Sequence, residues 1–361
     1  MHPYKTFPDR QFWNRAVSQT PWAEMFVGQA GKFRLTRDQS IASAGSCFAR
    51  RIAEHLIAVG YDYTPFESCH PLIEDKAAEY GYGVFSCRYG NIYTTRQLRQ
   101  LFEEALGLRE PIFNFARTGE GRYVDLMRPN ISQHGFSSAQ EARADRIYHL
   151  GRVRQMIEQM EVFVFTLGLT EAWADETRNI VYGSHPNVIQ PTLQVDNITP
   201  VNLDYNAVLT DLSHVLDLLA RHNRRAPPRT ILTVSPVGLA ATHQDSHVIT
   251  ATTYSKSVLR AAAGAATARS EVDYFPSYEI FSLSQSFGQF LADDLREVSA
   301  RGVAVAMRTF EAMFLAETAP SAGVAPPLAT APARAPAPEP DSPNAAQAEC
   351  DEIANAVFGP R

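Results

Sequence analysis

The chain has 361 residues, 45% of them apolar and 20% charged, long enough to bury the core of one large α/β domain or two small ones. Its 33 Lys plus Arg against 39 Asp plus Glu leave a net charge of -6, which argues against nucleic acid as the main partner. Four cysteines, Cys47, Cys69, Cys87 and Cys350, are too few and too scattered for a disulfide framework, and no Cys-x-x-Cys pair suggests zinc.

From the N-terminus, residues 1–38 read as an arm packed on the domain. The start, Met1 to Pro8, lacks the basic-then-apolar pattern of a signal peptide, and no later apolar run approaches the roughly 18 residues that span a bilayer. A cytoplasmic chain with no membrane partner is expected. Over residues 39–318, short apolar runs alternate with segments of helical period, the pattern of a wound α/β sheet. Ser40 to Ala44 predicts a first strand, and Cys47 to Val59 a helix with Phe48, Ile52, Leu56 and Val59 on one face. Ser137 or Ser138, followed by Glu141, offers a capped start to a long helix through Met160, which runs into a buried strand at Val162 to Thr166. Helix is then expected over Asn206 to Arg221, strand over Thr230 to Val234, helix over Lys256 to Ala268, strand over Val272 to Phe275, and helix over Val303 to Phe314. Ala319 to Pro343 holds 8 of the 23 prolines. Residues 319–348 therefore predict a Pro/Ala-rich, disordered linker. Residues 349–361 read as a short terminal helix or tail, with a protein partner as one use for it.

In an open parallel sheet, ligands bind at the carboxyl ends of the strands, so the corners there are the places to search. Gly45-Ser-Cys-Phe-Ala49 is such a corner. Glycine permits the turn, and the following residues sit at a helix N-terminus, whose amides and positive dipole end favour an anion. That placement favours a Cys47 thiolate, the nucleophilic form. Ser46 is the rival nucleophile, or simply a helix cap. No dinucleotide fingerprint or P-loop follows a strand, so no cofactor is expected.

On this motif the chain resembles the GSCFA-domain family, which is similar to the SGNH (GDSL-like) hydrolases. The resemblance continues in order through Arg88-Tyr-Gly-Asn-Ile-Tyr-Thr-Thr-Arg-Gln-Leu98, Phe165-Thr-Leu-Gly-Leu-Thr-Glu-Ala-Trp173, Leu232-Thr-Val-Ser-Pro-Val237, Tyr254-Ser-Lys-Ser-Val-Leu-Arg260 and Tyr274-Phe-Pro-Ser-Tyr-Glu-Ile280, over roughly Tyr4 to Phe314. It implies a three-layer α/β/α, flavodoxin-like domain with a parallel sheet and inserted loops, acting as an acyl-ester hydrolase or acyltransferase on a glycan or small hydroxylated metabolite. The alternative is an inactive binding or scaffold protein on the same fold.

Overlaying the SGNH Gly-Asp-Ser block puts Cys47 at the nucleophile position. Gly90 and Asn91 stand where the second block supplies an oxyanion donor, and Gly168 to Glu171 where the third does, with Thr170 in place of asparagine. In the fourth block, Asp294-Leu-Arg-Glu297, Glu297 replaces the expected histidine. The base is then sought at His247 in Asp245-Ser-His-Val248, with His185 as a weaker candidate. His243 and His247, four apart, lack a third metal ligand, and no metal is expected. Lys256, Arg260 and Arg96 begin or line helices beside these corners and suit an anionic substrate group. Trp173, Tyr274 and Tyr278 read as packing residues.

Overall fold

The computed structural model describes residues 2–132, 134–189 and 197–316. Its elements in chain order are β1 (Ile41–Gly45), α1 (Cys47–Ala58), α2 (Thr95–Ala105), β2 (Phe115–Arg117), β3 (Tyr123–Asp125), α3 (Ala139–Gln159), β4 (Val162–Leu167), β5 (Glu171–Asp175), β6 (Ile180–Tyr182), α4 (Pro186–Ile189), β7 (Ile198–Asn202), α5 (Tyr205–His222), β8 (Arg229–Val234), α6 (Val248–Ala266), β9 (Val272–Phe275), α7 (Ser277–Phe281) and α8 (Ala300–Phe314). The expected linker and terminal segment lie outside the described residues.

β1, β4, β8 and β9 form a parallel sheet in that spatial order. A parallel bridge between Ile41 and Tyr63 adds a minimal fifth position outside β1. Counting it, the order is the 2-1-3-4-5 of flavodoxin-like sheets, whose switch point lies between the first and third strands, here β1 and β4.

Because side chains alternate across a strand, each strand feeds two cores. Ala42, Ala44, Phe163, Phe165, Leu232 and Val234 pack with residues of α2, α3, α5 and α6. Ile41, Val162, Val164, Ile231 and Phe275 pack with residues of α1, α7 and α8. Three layers result. From the N-terminal residues, Gly31 and Leu35 donate backbone hydrogen bonds to the carbonyls of Met313 and Phe314, and the Trp22 ring meets Phe290.

Local signals set the helix starts. The Ser138 hydroxyl accepts from the Glu141 amide at 3.1 Å while the Glu141 carboxylate accepts from the Ser137 amide at 2.7 Å, so both expected serines serve α3. Thr94 and Gln97 form a reciprocal capping box on α2. The helix expected from Lys256 begins at Val248, with His247 as its N-cap. Lys256 is therefore an interior helical residue, and the start moves because the His247 imidazole accepts from the Ile249 amide at 3.2 Å.

Two features lie beyond the patterns read in the sequence. β6, β5 and β7 form a small antiparallel sheet between β4 and α5. α3 carries two members, Asp145 and His149, of a buried ionic cluster: Arg128 contacts Asp125 at 2.9 Å and Asp145 at 2.7 Å, Arg88 contacts Asp145 at 2.8 Å, and His149 meets Glu67 at 2.7 Å. Among the described residues, no helix is long and apolar enough to cross a membrane.

Candidate active site

β1 ends at Gly45, whose φ of +139° suits glycine and where a Cβ would collide with the Thr166 backbone of β4. The close approach puts the start of α1 directly at the switch point. Ser46 is the N-cap by position, but its hydroxyl does not cap the helix. That oxygen is buried and has no hydrogen-bond partner among the described residues. Cys47, the first residue of α1, is half-buried and lines a cavity of about 330 Å³.

The opposite side of the corner is the end of β4. The Gly168 and Leu169 amides both donate to the Tyr93 carbonyl, at 3.1 and 2.8 Å, and the Ile92 amide donates to the Gly45 carbonyl at 2.9 Å. The segment around Tyr93 is thereby tied across both strand ends. A Cβ at Gly168 would stand 3.0 Å from the Tyr93 oxygen and 3.3 Å from the Ser46 Cβ, so glycine permits this crossing.

Lys256 reaches the same place from α6. It is fully buried, and its Nζ donates to the Gly168 carbonyl at 2.7 Å. No carboxylate pairs with it among the described residues. Burial pushes its pKa down to about 7; attraction to Cys47 opposes the shift, and repulsion from Arg296 adds to it. The Lys256 amine thus feels both the thiol and the guanidinium. Arg296 lines the cavity, with its Nε donating to the Gly238 carbonyl at 3.2 Å and Nη1 paired with Glu297.

The cavity walls come from β5 and from the residues after β8. The Glu171 carboxylate accepts from the Thr242 hydroxyl at 2.7 Å and the His243 amide at 3.2 Å, tying the two walls together. Trp173 stands between two imidazoles, with ring centroids 4.7 Å from His185, edge-on, and 6.0 Å from His243. Burial pushes the His185 pKa down.

Of the residues singled out in the sequence, Ser46, Cys47, Gly168, Glu171, His185 and His243 line the cavity, Gly45 sets its edge and Lys256 lies against Gly168. Others fall elsewhere. Gly90 and Thr170 are not among the lining residues, and Asn91 borders a separate, smaller cleft with Gln97, Gln100 and Arg146. The Thr170 side chain is fully buried and its amide donates to the Ser255 hydroxyl at 3.0 Å. His247 is an exposed helix cap. The Asp294 carboxylate accepts from the Arg296 and Glu297 amides, shaping a turn that presents Arg296, rather than Glu297, to the cavity. Arg260 pairs with Glu279 and lies 3.9 Å over the Tyr274 ring, and Arg96 pairs with Asp211 at 2.6 Å, so neither lines the cavity.

Sequence reasoning missed Tyr93, Ser235, Arg296 and the Val237 to Thr242 wall, and took Trp173 for packing. Pro236, which stops β8, was the available sign that the chain leaves the sheet there for a loop over the site.

The sequence model of the GSCFA family matches residues 40–310, which include every cavity-lining residue. Neither the curated proteins nor the solved structures compared with the chain match it. With most of its length inside that match, the chain belongs to the GSCFA family.

Proposed function

We propose that the protein is an SGNH-like acyl-ester hydrolase or acyltransferase for a hydroxylated substrate, a glycan or small metabolite, with Cys47 as nucleophile and Lys256 as base. One observation carries the reading: the thiol at the start of α1 lines the same cavity as Gly168, whose carbonyl holds a fully buried lysine that has no carboxylate partner among the described residues and whose pKa burial pushes down to about 7. Such a lysine is neutral in a large fraction of molecules at pH 7 and can take a proton.

In this scheme the Cys47 thiol gives its proton to the neutral Lys256 amine as Sγ bonds to the acyl carbon. The leaving alkoxide or thiolate then takes that proton back from the ammonium. Water or an acceptor hydroxyl, deprotonated by Lys256, attacks the thioester and releases Cys47. The negative oxygen that forms at each addition is met by the positive end of α1. Ser46 is less suited to attack, because its hydroxyl has essentially no exposed surface. Among the described residues, Cys47, Cys69 and Cys87 are free thiols.

The test is incubation with an activated acyl thioester or aryl ester followed by intact-mass and peptide analysis. An acyl adduct on Cys47, formed at a rate that rises through pH 7, supports the scheme. No adduct on any residue would leave the inactive binding protein as the reading.

A further inference from the structure

We infer that the cavity beside Cys47 seats the acyl half of the substrate, and that this half is an apolar aliphatic or aryl acyl group, with the hydroxylated partner left at the cavity mouth. The inference rests on Cys47 being the acyl acceptor and deepens that reading.

The apolar lining of the cavity that Cys47 borders comes from Leu169, Ala172 and Trp173, at and just before β5, and from Val237 and Leu239, after β8. The charged groups at the same cavity already have partners. Glu171 is held by Thr242 and His243, and Arg296 by the Gly238 carbonyl and Glu297. A sugar ring seated there would exchange several hydrogen bonds to water for few in the protein, whereas an apolar group would lose none.

The wall is also preformed. Trp173 lies on the middle strand of the small sheet, in register with Tyr182 of β6 and Pro200 of β7, and is clasped by His185 and His243. An apolar group therefore meets a fixed surface rather than one that must be ordered on binding. That surface starts at Leu169, the residue after the carbonyl that holds Lys256, so an acyl chain lying along it would point its carbonyl carbon back toward the Cys47–Lys256 pair.

The experiment is a series of p-nitrophenyl esters, acetyl, butyryl, hexanoyl and benzoyl, with 1-O-acetylglucose as the polar comparison, read as the rate of acyl-adduct formation on Cys47. In each, Sγ bonds to the acyl carbon and p-nitrophenolate, or glucose, departs. The expected result is a gain of about fourfold per added methylene, each being a burial of CH₂ surface. Trp173→Ala should bring the hexanoyl-to-acetyl ratio close to one. A second measurement needs no chemistry from the protein: protection of Cys47 from iodoacetamide by hexanamide or benzamide, against the same concentration of glucose. Protection by the amides alone supports the apolar site. An adduct whose rate ignores or falls with chain length, or protection by glucose in place of the amides, overturns it. Amide protection with no acyl adduct from any ester leaves the apolar site standing and removes the catalytic scheme, so the two failures are distinguishable.

Discussion

On α3 and the segments beneath it, Arg88 and Arg128 share Asp145, Arg128 also takes Asp125, and Arg146 meets Glu104 at 2.8 Å. On α6, Lys256 is as deeply buried, yet among the described residues its amine meets a backbone carbonyl and no carboxylate. Both regions bear the cost of taking charge out of water, but only the first recovers it through paired carboxylates. The difference shows in titration. Burial raises the Glu67 pKa, but the hydrogen bond with His149 and the Arg128 charge outweigh it and hold the carboxyl low; at Lys256 burial prevails and the ammonium falls to about 7. Paired buried charge holds a fold in one arrangement, and a buried amine without an acid is available to chemistry.

The largest effect is expected at the thiol. Cys47→Ala should abolish acyl-adduct formation, while Ser46→Ala, which removes a hydroxyl with no hydrogen bond, should keep the rate within a few-fold. A fluorophosphonate adduct on Ser46, with the reverse pattern in the two variants, would transfer the nucleophile to serine.

Arg128→Met breaks the paired region. It leaves Asp125 and part of the Asp145 carboxylate buried without their cation, and should cost about 3–5 kcal/mol in denaturant unfolding. The same region carries an acid sensitivity. His149 is held by burial down to about 4, against an ordinary value near 6.5. A depressed native pKa means that the unfolded chain binds the proton first, so this stability is complete above about pH 6.5 and lost as pH falls toward 4. His149→Gln should flatten the fall in melting temperature across that window.

Lys256→Met reverses the sign. Adduct formation at pH 7 should fall about 100-fold, the usual worth of a positioned base, while the fold gains about 2 kcal/mol after the lost Gly168 hydrogen bond is offset. Wild-type stability should rise with pH between about 7 and 10, where the unfolded chain still binds the lysine proton and the native state does not. The variant should lose that rise. A destabilised variant with undiminished adduct formation would show that Lys256 is structural, like the arginines of the first region.

These two regions were unequally legible. The parallel strands, the helix that starts at Cys47 and the double-serine start of α3 follow from apolar period and capping, which are local. The position of Lys256 is not local: one histidine cap moved the start of α6 upstream, and burial then turned an apparent helix-start cation into an inward-facing amine. Arg296 was hidden because the four-residue Asp294 to Glu297 block directs attention to its ends, while the two amide bonds to Asp294 aim the residue between them. The small sheet of β5, β6 and β7 escaped notice because its strands are short and antiparallel, and β7 begins on a segment of Ile198, Thr199 and Pro200 that reads as loop.

The smallest effect is expected at His247, where sequence and structure assign different work to one side chain. As a base, its removal would cost about as much as that of Lys256. As the exposed N-cap of α6, it satisfies the Ile249 amide and little else, so His247→Ala should cost about 1 kcal/mol of stability and leave adduct formation within about twofold. His247→Asn, which restores a side-chain acceptor at the cap but has no titrating ring, separates the two roles. Recovery of the melting temperature with unchanged adduct kinetics identifies a cap. A rate that stays low in both variants, with its pH dependence shifted, would return the base to His247 and leave Lys256 as a buried cost that the fold bears for another reason.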